Sequence, residues 1–461
     1  MGQLMTDGAI EVDLLVVGGG MAGLSAAAYV ATRGGRVLLV EKARQIGGSA
    51  LLSAGGLARP RTPADLKAVN PHGEPWFADM LVDDYDSAVD WVTSLGIAVT
   101  DPDDSIVAVM GYPTSLRGHD VGSYLPRCQA VIEAAGGHVV LQAEVAQLRR
   151  TDGRVTGAVV VDRDGPTEVV ATWTLLATGG FVNDAELRSR YIGPNAASMI
   201  VRANPVSDGA GLRLGLAAGG TTTPLMDRYY GHTAPWPLDH PFTRADYVRL
   251  TQHYLAPHSV LLDRQGNRFV DESLGYYRNS HEVLRQPDGH ALLVADQQVR
   301  DADAAGGAPE KTLGYERVDR VVEAMRSGAH VVEAATWAEL DELVRPWGYT
   351  GVAAAMATYH HQLRDEAPMS PPRSRNREPL DQPPFFAMEI QSTISNTWGG
   401  LQIDEQTRVL RPDGDPVPGL LAAGGDVGGA FYDAYCGGLG MALMTGLRAA
   451  RLVAAGLPIR S

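Results

Sequence analysis

The stretch AYCGGLGMALMTG, Ala434 to Gly446, sets a phenol and a thiol, Tyr435 and Cys436, at the mouth of a glycine cluster that opens a helical run. Near the other end of the chain, VVGGGMAGLSAAA carries glycines at 18, 20 and 23 between an apolar strand-like run and an alanine-rich helical one. Glycine at a helix start lets backbone N–H groups approach an anion with no Cβ in the way. RVLLV, Arg36 to Val40, reads as the next buried strand, and Glu41 follows it. That order is a βαβ unit with a dinucleotide loop: the glycines approach a pyrophosphate and Glu41 accepts from a ribose. An acidic residue there favours an unphosphorylated ribose, as in FAD or NAD.

Other chemistry has little to work with. Cys128 and Cys436 form no CxxC pattern, so zinc ribbons, iron–sulfur clusters and covalent haem lack ligands. His360 and His361 are adjacent and point to different faces of a helix, so no metal site is expected. The net charge of -15 is spread along 461 residues and argues against nucleic acid. No apolar run of membrane length and no signal-peptide pattern occurs, so no membrane span and a cytoplasmic location are expected.

Periodicity predicts the elements that must hold these residues. A helix is expected from about Trp76 to Gly96 and another from Val121 to Ala135. Two strands follow around an Asp-Gly turn at 152 and 153. TWTLLATGGF reads as a buried strand ending at Thr178, Gly179 and Gly180, and SDGAGLRLGLAAGG as a loop with a small-residue helix. From about Tyr229 the βα rhythm is lost, and the chain turns richer in His, Tyr, Pro and Arg until the Pro-rich segment ending at Pro384. The expected domains are 1–228 and 385–461 around an insertion at 229–384.

Several motifs coincide in this order: GGGMAGLSAA, EKARQIGGSALLSAGG, LLATGGF, SDGAGLRLGLAAGG, LLDRQGNRFVDE, NTWGGLQID and GLLAAGGDVGG with the closing glycine-rich helix. Together they resemble the flavoprotein family of soluble fumarate reductases and 3-ketosteroid dehydrogenases, closer to the ketosteroid-dehydrogenase-like branch. The resemblance implies an α/β fold: a Rossmann-like FAD-binding domain built from both chain ends, with an inserted α+β capping domain that closes over the flavin. It implies non-covalent FAD, since the histidine that carries covalent flavin in succinate dehydrogenases has no counterpart between Ser49 and Gly56.

The resemblance also assigns residues. Gly18, Gly20, Ala22 and Gly23 would meet the pyrophosphate, and Glu41 with Lys42 the ribose end. Gly48, Ser49, Ser53, Gly55 and Gly56 would line ribitol and flavin, and Val145 the adenine. Thr178, Gly179, Asp208, Gly424, Asp426, Gly438, Leu439 and Gly440 match further flavin-site positions. Relatives carry an acidic residue directly after AAG, whereas here Gly425 intervenes before Asp426.

The two branches need different groups. The reductase branch clamps a dicarboxylate with histidine and arginine where this chain has Asn396 and Tyr435. The ketosteroid branch uses a tyrosine before the last glycine cluster to stabilise an enolate, and Tyr435 matches it. It places a tyrosine four residues past the glutamate of RFVDE, and Tyr276 stands there, followed by Tyr277 and Arg278. Free tyrosine ionises near pH 10, roughly, so a phenol base needs a stabilising field; which of Tyr276, Tyr277 and Arg278 handles the proton stays open. Read alone, two adjacent tyrosines in a loop would be packing residues. The expected activity is FAD-dependent insertion of a C=C bond α,β to a ketone in a steroid or smaller ring. The alternative is reduction of an activated C=C bond in an unsaturated acid or enone. The expected partners are a small-molecule substrate and an external electron acceptor or oxygen.

Overall fold

A computed structural model describes residues 5–6, 9–252, 255–306 and 317–457. The βαβ unit is formed by β1 (Ala9–Val17), α1 (Met21–Ala31) and β2 (Val37–Glu41), with Leu14 paired to Val37 in parallel register. Leu14, Leu15 and Val16 are all buried, so the strand is covered on both faces, as an apolar run without alternation requires. The segment continues through β3 (Gly56–Pro60) and β4 (Thr114–Gly118), which pair antiparallel, to β5 (His138–Leu141), parallel beside β2. The hairpin of β6 (Glu144–Thr151) and β7 (Arg154–Asp162) turns at Asp152 and Gly153, with φ of 50° and 77°. Those positive angles match the right-handed strand twist, which is why Asp-Gly is found there. β8 (Gly165–Leu176) then returns parallel to β1.

The single helix expected over Trp76 to Gly96 is two, Pro75–Asp83 and Tyr85–Ser94. The break falls at Asp84, whose carboxylate accepts from Arg448 at 2.5 Å.

The chain divides into two compact units, Met1–Ile192 with Ala203–Tyr229 and Asn396–Ser461, and Gly193–Arg202 with Tyr230–Ser395. The second is organised on a sheet of β9 (Val260–Leu262), β10 (His290–Asp296) and β11 (Phe385–Ile394), with α2 (Tyr276–Leu284) between β9 and β10 in sequence. Alternate residues point to opposite cores. Leu292, Val294, Phe385 and Ala387 pack with α3 (Trp337–Val344) and α4 (Val352–Arg364), while Leu293, Ala295, Phe386 and Met388 pack with Val283 of α2. The second compact unit runs to Ser395, beyond the expected boundary at 385, and β11 pairs with strands on both sides in its sheet.

The C-terminal segment completes the first unit with β12 (Arg408–Leu410), β13 (Pro416–Ala422) and α5 (Gly438–Ala455). Its main sheet order is β12-β13-β8-β1-β2-β5, so strands from both chain ends share one sheet. α5 packs along α1 so closely that a Cβ on Gly446 would lie 2.4 Å from the Ala22 carbonyl oxygen. Among the described residues no helix is long and apolar enough to cross a membrane.

Candidate functional site

The dinucleotide loop is shaped by contacts only glycine tolerates. Gly18 has φ of 110°, and a Cβ on Gly23 would lie 2.0 Å from the Gly18 carbonyl oxygen. Gly20 caps α1 with no side-chain bond, leaving the helix N-terminus to backbone N–H groups, and Ala22 faces α5. A Cβ on Gly20 would meet nothing nearer than 3.9 Å, and one on Gly48 nothing nearer than 3.6 Å. The two glycine stretches thus lie side by side in van der Waals contact, beside a helix end without a side-chain cap. Glu41 is buried at the tip of β2, where one oxygen accepts from Gly19 N–H and the other from Ala43 N–H, both at 2.7 Å. A carboxylate has about four acceptor sites, so each oxygen keeps one for a sugar hydroxyl.

The segment after β2 forms one turn of 3-10 helix, Gly48–Leu52. Ser49 accepts from Asn204 N–H at 3.1 Å, and Ser53 from Gly55 N–H at 3.0 Å. The Gly55 carbonyl is held by His119, whose backbone N–H and Nδ1 lie at 3.0 and 2.8 Å, just before Gly56 enters β3. Lys42 pairs with Asp208 at 2.5 Å, joining two residues assigned separately to the cofactor. Val145 is buried in β6 opposite Val160, next to an irregularity in the ladder.

Asp426, assigned to the ribitol by the resemblance, is also engaged within the protein. Its buried carboxylate accepts from Thr178 N–H at 2.5 Å, Thr178 Oγ1 at 2.8 Å and Gly180 N–H at 3.0 Å. Burial raises its pKa, against the pull of those bonds. The carboxylate ties the ends of β8 and β13 together. Gly179, at φ of 96°, lies within this knot, and Gly424 donates to Thr445 of α5 at 3.0 Å.

At the start of α5, the Tyr435 Oη accepts from Gly438 N–H at 2.7 Å. A Cβ on Gly438 would stand 3.3 Å from that oxygen and 3.4 Å from Asn396 Nδ2, so phenol and amide gather at one point of the helix end. Trp398 stacks on the Tyr435 ring at 6.0 Å and Phe431 meets its edge at 5.4 Å, making an aromatic wall. Leu439 and Gly440 form the first turn, Gly440 close over the Ala58 carbonyl. Cys436 is fully buried and its thiol is pushed up to about 12, so it is inert filling. Tyr112, which no sequence pattern links to this turn, donates to the Tyr435 carbonyl at 2.9 Å.

In the second unit, the RFVDE motif is a buried ionic knot. Glu272 accepts from Arg268 at 2.6 Å and Arg373 at 3.2 Å, and also from Leu261 N–H. Asp271 accepts from the backbone and hydroxyl of Ser374. Tyr276 and Tyr277 do not lie in a loop: they open α2 after Gly275, whose φ of 117° makes the bend. Tyr277 is buried and Arg278 half-buried.

A family model described as "FAD binding domain" matches residues 13–440, and the chain belongs to that family. It is an FAD-dependent oxidoreductase. It is 27% identical to the fumarate reductase (cytochrome) of Shewanella frigidimarina over 93% of this chain and 74% of that protein. It is 29% identical to the 4-oxocyclohex-2-ene-1-carboxylate 5-dehydrogenase of Sinomonas cyclohexanicum over 69% of this chain and 57% of that protein. The 3-ketosteroid-Δ4-(5α)-dehydrogenase of Rhodococcus jostii RHA1, solved with 4-androstene-3,17-dione, has the same fold, with a TM-score of 0.73 at 19% identity, covering 98% of each chain.

Proposed function

We propose that the protein is a dehydrogenase that introduces a C=C bond α,β to a ketone in a cyclic substrate, a smaller alicyclic ketone or keto acid before a steroid. The observation that carries this is Tyr435 Oη, fixed by Gly438 N–H at 2.7 Å at a helix N-terminus. The phenol oxygen accepts from that N–H, and the helix end favours negative charge at that oxygen. Tyr435 donates to the ketone oxygen as the α-proton leaves, so charge developing on that oxygen is met by a donor already in place. The α C–H electron pair becomes the new π bond as a hydride leaves the β carbon. FAD, when bound, supplies the two-electron acceptor for that hydride.

Gly18, Gly20, Ala22 and Gly23 would hold its pyrophosphate, Glu41 its ribose, Gly48 to Gly56 its ribitol and ring, and the first turn of α5 its ring edge. The proton goes to a base, for which the family resemblance offers Tyr276, Tyr277 and Arg278 as candidates. The dehydrogenase named for a ring bearing both a ketone and a carboxylate is among the relatives, which supports a keto acid.

The second reading is the reverse chemistry, reduction of an activated C=C bond, and the fumarate reductase relative supports it over 93% of the chain. Against a dicarboxylate stands the replacement of two clamp positions by Asn396 and Tyr435. Anaerobic flavin absorbance decides between them. Bleaching by a saturated cyclic ketone or keto acid establishes dehydrogenation; reoxidation of reduced enzyme by an enone or unsaturated acid, with no bleaching by any ketone, establishes the reductase.

A further inference from the structure

Between Val427 and Gly438 the chain forms no helix or strand, yet this segment must present Tyr435 at a defined point. Its shape is imposed from elsewhere in the first unit. Asn70, buried at the C-terminus of the helix Pro63–Val69, meets three backbone groups of the segment with one amide. Its Nδ2 donates to the Ala430 carbonyl at 2.9 Å, and its Oδ1 accepts from the N–H groups of Tyr432 at 2.8 Å and Asp433 at 2.9 Å.

Its neighbours extend the grip. His72 N–H donates to the Asp433 carboxylate at 3.2 Å with Nδ1 2.9 Å from the same oxygen, and Glu74 N–H donates to the Gly429 carbonyl at 2.9 Å. A Cβ on Gly73 would lie 2.0 Å from Asn70 Nδ2, so the turn closes only around glycine. From the other side Tyr112 holds the Tyr435 carbonyl at 2.9 Å.

A primary amide is the neutral side-chain group that can donate to a carbonyl and accept from two N–H groups at once. No apolar residue substitutes for it without leaving buried backbone groups unpaired. We propose that Asn70 is the positioning residue for Tyr435, an inference that rests on the reading of Tyr435 as donor to the substrate carbonyl. Asn70 acts through the backbone of the segment, setting where the phenol stands relative to Gly438.

The test uses FAD-loaded enzyme labelled with 3-fluorotyrosine, with the Tyr435 resonance assigned by its loss in Tyr435→Phe. In Asn70→Ala and in Tyr112→Phe that resonance is expected to move or split while flavin absorbance is retained. On the substrate that bleaches the flavin, kcat of Asn70→Ala falls about 100-fold with KM little changed, the usual consequence of a misplaced catalytic group. An unchanged Tyr435 resonance in a flavin-loaded Asn70 variant overturns the proposal, even if its melting temperature drops, because Asn70 would then serve stability alone. Should Asn70→Ala fail to fold, Asn70→Asp, which keeps the oxygen that accepts from Tyr432 and Asp433 but replaces the donor to Ala430 with a charged acceptor, carries the same test. A shifted resonance together with full turnover in Tyr435→Phe would leave the positioning intact and sink the catalytic reading of Tyr435.

Discussion

The Tyr435 Oη lies 2.7 Å from Gly438 N, with the N–H of the first residue of an 18-residue helix donating to the phenol three positions before it. A side chain that caps its own following helix through its hydroxyl oxygen is held in place by a group that would also stabilise charge on it.

Replacing Tyr435 by phenylalanine removes one donor from the carbonyl and leaves the ring stacked on Trp398. Flavin content should stay at the wild-type level while kcat falls about 100-fold, the order expected for loss of one oxyanion donor. Steady-state turnover beside the absorbance ratio of the purified protein checks this, and nearly intact turnover would exclude the assigned role.

Gly438→Ala tests the same contact from the other side. The new methyl would stand 3.3 Å from Tyr435 Oη and 3.4 Å from Asn396 Nδ2, so the phenol must move by a few tenths of an ångström. We expect turnover to fall about tenfold with FAD still bound, since small misplacements of a catalytic group are costly.

Gly23→Ala acts on the cofactor loop. Its Cβ would lie 2.0 Å from the Gly18 carbonyl oxygen and 3.0 Å from a Val16 methyl, neither of which can yield without opening β1 from α1. Overpacking of this kind costs about 1 to 3 kcal/mol. The variant should purify with little flavin and melt earlier, both read in one thermal scan with flavin fluorescence.

His119 predicts the acid side of the stability curve. Its Nδ1 is engaged by the Gly55 carbonyl, its Nε2 is buried without a hydrogen-bond partner, and burial lowers its pKa below the ordinary 6.5. Below pH 6.5 the unfolded chain takes up a proton that the folded state resists. The stabilising contribution of neutral His119 is therefore complete above that pH and is lost as pH falls toward the lowered value. Melting temperatures from pH 7.5 down to about 5 should decline less steeply in His119→Asn than in wild type.

Glu272→Gln probes the second unit. The lost charge leaves the buried guanidinium groups of Arg268 and Arg373 without their shared carboxylate. Breaking such a knot costs about 3 kcal/mol, measurable by denaturant unfolding. Unchanged stability would mean that the two arginines are satisfied by the Pro371, Pro372 and Ser259 carbonyls alone.

The sequence by itself determined the βαβ unit, the Asp-Gly hairpin, the glycine cradle and the phenol before α5, because each depends on neighbours within a few residues: apolar runs, positive φ, a helix start. It also carried the family, through motifs spread in order from Gly18 to Gly446. It drew the boundary before β11, since an apolar strand buried on both faces reads alike in either sheet and only its partners distinguish them. It assigned Asp426 to the ribitol, and only the tertiary structure shows that this carboxylate also accepts from Thr178 and Gly180. Nothing near Asn70 or Tyr112 in sequence pointed to Tyr435. Those contacts span separations of more than three hundred residues, and only the packing of the two chain ends in one unit brings the groups within hydrogen-bonding range.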